Sequence, residues 1–117
     1  MFDVMIVEDE VLVLLDLAEM VEGFGHTIHS ECTSLDDGFE ALEHSIPDVA
    51  LLDINVARRH VWPLATALRN RGCRIVFLSA DLNHRELREE FADCGRVEKP
   101  ATLHDIREAL EKISVAA

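Results

Sequence analysis

The 117-residue chain predicts an α/β fold, a parallel sheet covered by helices on both faces. Three observations carry that prediction. Apolar runs and segments of helical period alternate along the whole chain. The runs Val4–Val7, Val49–Leu52 and Ile75–Leu78 are continuous rather than alternating, as in strands buried on both faces. The connections are short, which leaves helices as the right-handed crossovers between parallel strands.

Each element follows in order. Val4–Val7 is the first strand and runs into Glu8-Asp9-Glu10. Val11–Phe24 carries Leu14, Leu15, Leu17, Ala18 and Val21 at helical spacing, with Gly23 and Gly25 flanking its end as C-terminal caps do. Thr27–Cys32 alternates around Ile28 and reads as a strand nearer an edge. Ser34-Leu35-Asp36-Asp37 has the spacing of a capping box, opening a helix through Phe39, Ala41, Leu42 and Glu43 that Pro47 stops.

Val49–Asp53 is the central strand, four apolar residues leading into a carboxylate. Asn55–His60 reads as a polar loop. Pro63–Arg71 reads as a helix with proline in its first turn, closed by Gly72. Arg74–Leu78 is the fourth strand and ends at Ser79. Asp81–Ala92 is a weakly amphipathic helix with Leu82, Leu87 and Phe91 as its apolar points. Arg96-Val97-Glu98 forms a very short last strand before Lys99-Pro100. Thr102-Leu103-His104-Asp105 is a second capping-box pattern, and Leu103, Ile106, Leu110 and Ile113 make the stripe of the final helix.

Composition bounds the function. A net charge of −12, from 11 basic and 23 acidic residues, argues against nucleic acid or an anionic membrane as direct partner. No apolar run approaches the roughly 18 residues of a membrane helix. No basic segment precedes an apolar stretch at the start, so no secretory signal is expected. Cys32, Cys73 and Cys94 are scattered and odd in number, as in a reduced cytoplasmic chain. Cys73 reads as structural, and no basic cluster activates Cys94. The six histidines show no metal-ligand spacing.

The polar ends of the strands carry the chemistry. Ligands of open α/β sheets bind outside the carboxyl ends of the strands. Those ends here are Glu8-Asp9, Asp53, Ser79 and Lys99. Three carboxylates at one edge repel one another, and a divalent cation resolves this. Mg²⁺ takes hard oxygen ligands, usually one or two carboxylates with waters and a phosphate. A lysine and a small hydroxyl suit the remaining phosphoryl oxygens. The set fits phosphoryl transfer to a carboxylate, with Asp53 as nucleophile, Lys99 and Mg²⁺ offsetting charge, and Ser79 donating a hydrogen bond.

In that arrangement the chain resembles the receiver domain of two-component response regulators. The matched residues are Glu8-Asp9 after the first strand, Asp53 after the third, Ser79-Ala80 after the fourth and Lys99-Pro100 after the fifth. Each motif is weak alone, and all of them in order are strong. The resemblance spans residues 1–117 and implies a single receiver domain without an output domain. It implies a doubly wound, flavodoxin-like five-stranded parallel sheet in order 2-1-3-4-5. Asp53 would accept a phosphoryl group from the phosphohistidine of a sensor histidine kinase or phosphotransfer protein. Asp9 would ligate Mg²⁺ directly, Glu8 directly or through water, and Asp53 with them. Asn55 would offer its backbone carbonyl to the metal. Ser79 would hydrogen-bond a phosphoryl oxygen, and Lys99 would pair with Asp53 or its phosphoryl group. The Lys99-Pro100 peptide is often cis in the family. Such a protein is a cytoplasmic signalling phosphoacceptor, catalysing only its own phosphorylation and dephosphorylation. It would be a monomer or weak dimer that acts on an unknown downstream protein or relays the phosphoryl group.

The departures from the family concern the signalling face. Ala57 and Val61 stand where proline and glycine are usual, within Arg58-Arg59-His60-Val61-Trp62-Pro63. Arg96 stands where a tyrosine or phenylalanine swings inward on phosphorylation. It reads as a surface residue, or as one reaching a neighbouring acid. The short Ser79–Lys99 interval implies a reduced or irregular fourth helix. These changes resemble short stand-alone receivers of alphaproteobacteria. Arg58-Arg59-His60 reads as a solvated loop, or as a segment shaping access to the acceptor.

Three competing readings are weaker. A phosphorylation-independent pseudo-receiver would have lost acceptor, metal or lysine residues. A dehalogenase-type phosphatase needs D-x-D-x-T, where this chain has Asp53-Ile54-Asn55-Val56-Ala57. A dinucleotide-binding domain wants a glycine-rich turn where Glu8-Asp9-Glu10 stands.

Overall fold

The computed structural model describes residues 1–116; Ala117, the last residue of the expected domain, lies outside the described residues. The chain runs β1 (Asp3–Val7), α1 (Val11–Gly23), β2 (Thr27–Cys32), α2 (Leu35–His44) and β3 (Val49–Asp53). It continues through β4 (Asn55–Val56), β5 (Arg59–His60), α3 (Trp62–Asn70), β6 (Arg74–Ser79), α4 (Arg85–Arg88), β7 (Gly95–Glu98) and α5 (Leu103–Ala116). The main sheet has five parallel strands in order β2-β1-β3-β6-β7, the doubly wound order expected.

The continuous apolar runs alternate their side chains between two cores. Met5, Val7, Ala50, Leu52, Ile75 and Phe77 face the side covered by α2, α3 and α4. Val4, Ile6, Val49, Leu51, Val76 and Leu78 face the side of α1 and α5, against Leu14, Leu17, Ile106 and Leu110. Burial on both sides is why these runs lack an alternating pattern in the sequence. β2, with partly exposed side chains, lies at one edge, as its polar alternation predicts.

Both predicted caps form, but only the second is a reciprocal box: at the first, Asp37 Oδ2 accepts from the Thr33 N–H at 3.3 Å rather than from Ser34. Ser34 Oγ accepts from the Asp37 N–H at 3.1 Å. Thr102 Oγ1 accepts from the Asp105 N–H at 3.1 Å, and Asp105 Oδ2 accepts from the Thr102 N–H at 3.1 Å. The Lys99–Pro100 peptide is cis.

Two expectations are corrected. Asn55–His60 is not a polar loop but an antiparallel hairpin, with Asn55 opposite His60 and Val56 opposite Arg59. Its turn places Ala57 and Arg58 at φ 49° and 68°. A two-residue hairpin turn of this hand needs positive φ at both centres, usually supplied by Asn-Gly or Gly-Gly. Ala-Arg carries no such signal, so the hairpin is silent in the sequence. Buried Val56 and Val61 hold it down, and the Val61 N–H donates to the Ile54 carbonyl at 2.9 Å.

The second correction is the segment Asp81–Ala92, where only Arg85–Arg88 is helical, in line with a reduced fourth helix. The chain leaves the helix at Glu89 (φ −116°, ψ −94°) and continues in turns, yet Leu87 and Phe91 still reach the core. Arg96 explains the break. It is neither a surface residue nor the partner of an acid. Its guanidinium is half-buried and donates to the carbonyls of Leu87 (2.8 Å), Phe91 (3.2 Å), Ala92 (3.1 Å) and Cys94 (3.2 Å). Carbonyls that a longer helix would bond internally are held by a side chain from β7 instead. Arg69 of α3 adds a second grip, donating to the Glu90 carbonyl and to both Asp93 carboxylate oxygens at 2.8 and 3.0 Å.

Candidate functional site

Parallel strands put all their carboxyl ends on one edge, and the register places Asp53 beside Leu78 and Ser79 beside Glu98. Glu8 follows β1 and Lys99 follows β7 directly. The Lys99 N–H donates to the Ser79 carbonyl at 2.9 Å, so the short strand β7 carries its pairing up to the lysine.

The side chains converge on Lys99. Its ammonium lies 2.6 Å from Glu8 Oε1 and 3.3 Å from Asp53 Oδ2. Its shorter contact is thus with Glu8, whereas the sequence pointed to Asp53. Glu8 is wholly buried, Asp53 nearly so, and Asp9 is exposed. Oxygen atoms of Glu8, Asp9 and Asp53 lie within 4.8 Å of one another. Glu8 Oε2 also accepts from the Glu10 N–H at 3.1 Å, and Asp9 Oδ2 from the Ala57 N–H at 3.0 Å.

Burial pushes the Asp53 carboxyl above the usual carboxylate range, against the pull of the Lys99 ammonium. Burial raises Glu8 likewise, outweighing its bonds from Lys99 and the Glu10 amide. At Asp9 burial also acts upward, but the Ala57 amide and neighbouring donors together carry the carboxyl below its ordinary value. Burial acts to lower Lys99, and Glu8 and Asp53 more than reverse it. One ammonium therefore faces three carboxylates. The donor set is hard oxygen throughout and carries surplus negative charge, which fits a divalent cation such as Mg²⁺.

Ser79 is buried at the same edge, its Oγ accepting from the Asp81 N–H at 3.2 Å. Asn55 opens the hairpin with its side chain exposed. The residues expected at the edge are thus all found there. One contributor to the site went unseen in the sequence, and so did one aromatic cluster away from it. The Ala57 amide steadies Asp9, and any residue type supplies an amide. Trp62 seats its ring against Phe77, His84 and Phe91, with centroids 5.5, 5.6 and 5.8 Å away, a cluster built from three separate segments.

A family model described as the response regulator receiver domain matches residues 4–111. The chain belongs to that family. The receiver is 29% identical over 111 residues to the transcriptional regulatory protein PdtaR of Mycobacterium tuberculosis. That match covers 92% of the receiver but 54% of the relative, so the chain spans about half the length of the curated relative it matches. Among solved structures, the PhyR response regulator receiver domain of Erythrobacter litoralis superposes with a TM-score of 0.82 at 22% identity, covering 97% of this chain and 90% of that one. SdrG of Sphingomonas melonis Fr1 superposes with a TM-score of 0.79 at 26% identity, covering 93% and 92%. No helix among the described residues is long and apolar enough to cross a membrane.

Proposed function

We propose that this receiver is a Mg²⁺-dependent phosphoacceptor whose acceptor is Asp53. The observation that carries the reading is the convergence of Asp53 with the Lys99 ammonium and with the Glu8 and Asp9 carboxylates at one sheet edge. The donor is the phosphohistidine of a sensor histidine kinase or phosphotransfer protein. A carboxylate oxygen of Asp53 attacks phosphorus, the N–P bond breaks, and the electron pair returns to the imidazole nitrogen. The new P–O bond leaves an aspartyl phosphate.

Lys99 offsets charge on the phosphoryl oxygens and keeps Glu8 paired. The Ser79 hydroxyl donates to a phosphoryl oxygen. Glu8, Asp9, Asp53 and the Asn55 carbonyl hold Mg²⁺, whose contribution is charge neutralisation on the transferring group. The phosphorylated domain then binds a downstream protein or passes the phosphoryl group onward. The phosphorylation-independent reading has no comparable support, because acceptor, acids and lysine are all present and together.

The test is chemical. Incubation with Mg²⁺ and acetyl phosphate should yield a single phosphoryl adduct by intact mass, which Asp53→Asn abolishes. An adduct that survives the substitution overturns the assignment.

A further inference from the structure

Just after Asp53 the chain turns back on itself and lays a backbone amide against a carboxylate of the acidic site. β4 and β5 pair antiparallel, and the turn between them holds Ala57 at φ 49° and Arg58 at φ 68°. A residue with a Cβ is disfavoured in this left-handed region, so the turn is strained at both centres. Such strain persists only where the surroundings fix the backbone. Here the Ile54 N–H donates to the Leu78 carbonyl at 3.1 Å, and the Val61 N–H closes the hairpin base on the Ile54 carbonyl at 2.9 Å. Val56 and Val61, on either side of the turn, are wholly buried.

Fixed in this way, the turn aims the Ala57 N–H at Asp9 Oδ2, 3.0 Å away and 48 positions earlier in the chain. Asp9 is the acid of the site that gains most from such a partner. Glu8 and Asp53 are buried and tied to Lys99. Asp9 is exposed, and no ion pair among the described residues reaches it. An exposed aspartate samples several rotamers, and a ligand that needs one of them must overcome that entropy. The amide orders the side chain beforehand through one oxygen, and a carboxylate has a second oxygen to offer a cation. A proline at position 57, usual in the family, has no N–H and cannot make this bond. The contact belongs to this chain's own turn.

We propose that Ala57 is a positioning residue for the metal site: its backbone N–H preorganises Asp9, so that Mg²⁺ binds more tightly while the hairpin is closed on the site, and the hairpin closes more firmly when Mg²⁺ is bound. The inference rests on the metal reading above. Partners that orient a metal-ligating side chain are commonly worth about tenfold or more in affinity. The two effects are one coupling. Whatever factor the amide adds to Mg²⁺ affinity, Mg²⁺ adds to the closure of the amide on Asp9. The opposite sign has an equally definite signature. An amide competing with the cation for the same oxygen would be released when Mg²⁺ binds.

Two measurements on the full chain test both directions. Solvent exchange of the Ala57 amide, followed by NMR, should slow by about tenfold in saturating MgCl₂. The Val61 amide, bonded to the Ile54 carbonyl, is the reference for the hairpin base. Asp9→Ala should bring the Ala57 amide to fast exchange and remove the Mg²⁺ effect, while Val61 stays protected. The second measurement is calorimetric titration with MgCl₂. An ester in place of the Val56–Ala57 peptide bond deletes the N–H alone and should weaken binding by about the same tenfold. Ala57→Gly keeps the N–H and should bind within about twofold of the unaltered protein. Unchanged or faster exchange at Ala57 in saturating Mg²⁺ overturns the proposal, and so does an ester variant that binds Mg²⁺ as tightly as the unaltered protein. No heat of binding from the unaltered protein overturns the metal reading instead.

Discussion

Asp53 sits in a buried group of charges where burial, opposed by the attraction of Lys99, raises its carboxyl above the usual carboxylate range. Removing its charge should therefore stabilise the protein without Mg²⁺. Asp53→Asn leaves Lys99 paired with Glu8 at 2.6 Å and relieves the repulsion between two buried carboxyls. We expect a gain in stability, because a carboxyl raised in the folded state marks an unfavourable interaction of its charged form, which the amide removes. Thermal melts with and without Mg²⁺ check it. The substituted protein should melt higher without the cation and gain less from adding it. A lower melting point for the Mg²⁺-free variant would mean that the Lys99–Asp53 pair outweighs the repulsion. Asp53, Lys99, Ser79, Glu8 and Asp9 were all legible as strand-end residues. The Lys99–Glu8 contact was not, since the reach of a lysine between two acids depends on side-chain packing.

At the scale of the element, α4 and the hairpin are the two places where local sequence misleads. Leu87 and Phe91 are four residues apart and imply one continuous helix, yet α4 spans four residues. Arg96 holds the turns that follow, through four backbone carbonyls. Arg96→Lys keeps the charge but loses the planar fork, so it should not rescue the segment. We expect both Arg96→Lys and Arg96→Ala to cost about 1–3 kcal/mol, the range for buried acceptors left unpaired. Hydrogen exchange should quicken over Leu87–Cys94 in both variants. Protection unchanged in both would show that Arg69 and the core side chains suffice. In the hairpin, the left-handed conformation of Ala57 costs about 1–2 kcal/mol relative to glycine. Ala57→Gly keeps the amide that binds Asp9 and should raise stability by about 0.5–1 kcal/mol after glycine's greater unfolded-state entropy is set against it. Urea denaturation measures this, and a loss of stability would argue that the turn is not strained.

The whole molecule is held by two cores on the faces of one sheet, against a net charge of −12. All 11 basic residues lie between Arg58 and Lys112. The half containing α1, β2 and α2 therefore repels itself. Among the described residues, the ion pairs that bridge the halves are Lys99 to Glu8 and Asp53, and Arg59 to Asp36 at 3.5 Å. The Arg59–Asp36 pair is exposed and contributes little. Stability should accordingly rise with ionic strength. Between about 0.05 and 0.5 M NaCl the Debye length falls from roughly 14 to 4 Å, enough to quiet repulsion along α1 and α2. Calorimetric melts in the Mg²⁺-free protein should shift upward over that range. A flat or falling trend would place the dominant electrostatics in attractive pairs.

The sequence by itself determined the strand order of events along the chain, the two-sided burial of its apolar runs, both helix caps and the identity of every polar residue at the carboxyl edge. These depend on spacing and on residue type, which local physics reads directly. Only the tertiary structure decided how Lys99 divides itself between Glu8 and Asp53, why α4 stops at Arg88, and that Asn55–His60 turns back as a hairpin whose amide steadies Asp9. Lys99 and Asp9 meet partners far away in the chain, and α4 ends where Arg96 takes nearby backbone carbonyls. The amide that Asp9 meets and the carbonyls that Arg96 meets carry no residue name, and the choice of Lys99 between two acids depends on packing, so the sequence holds no pattern that announces them.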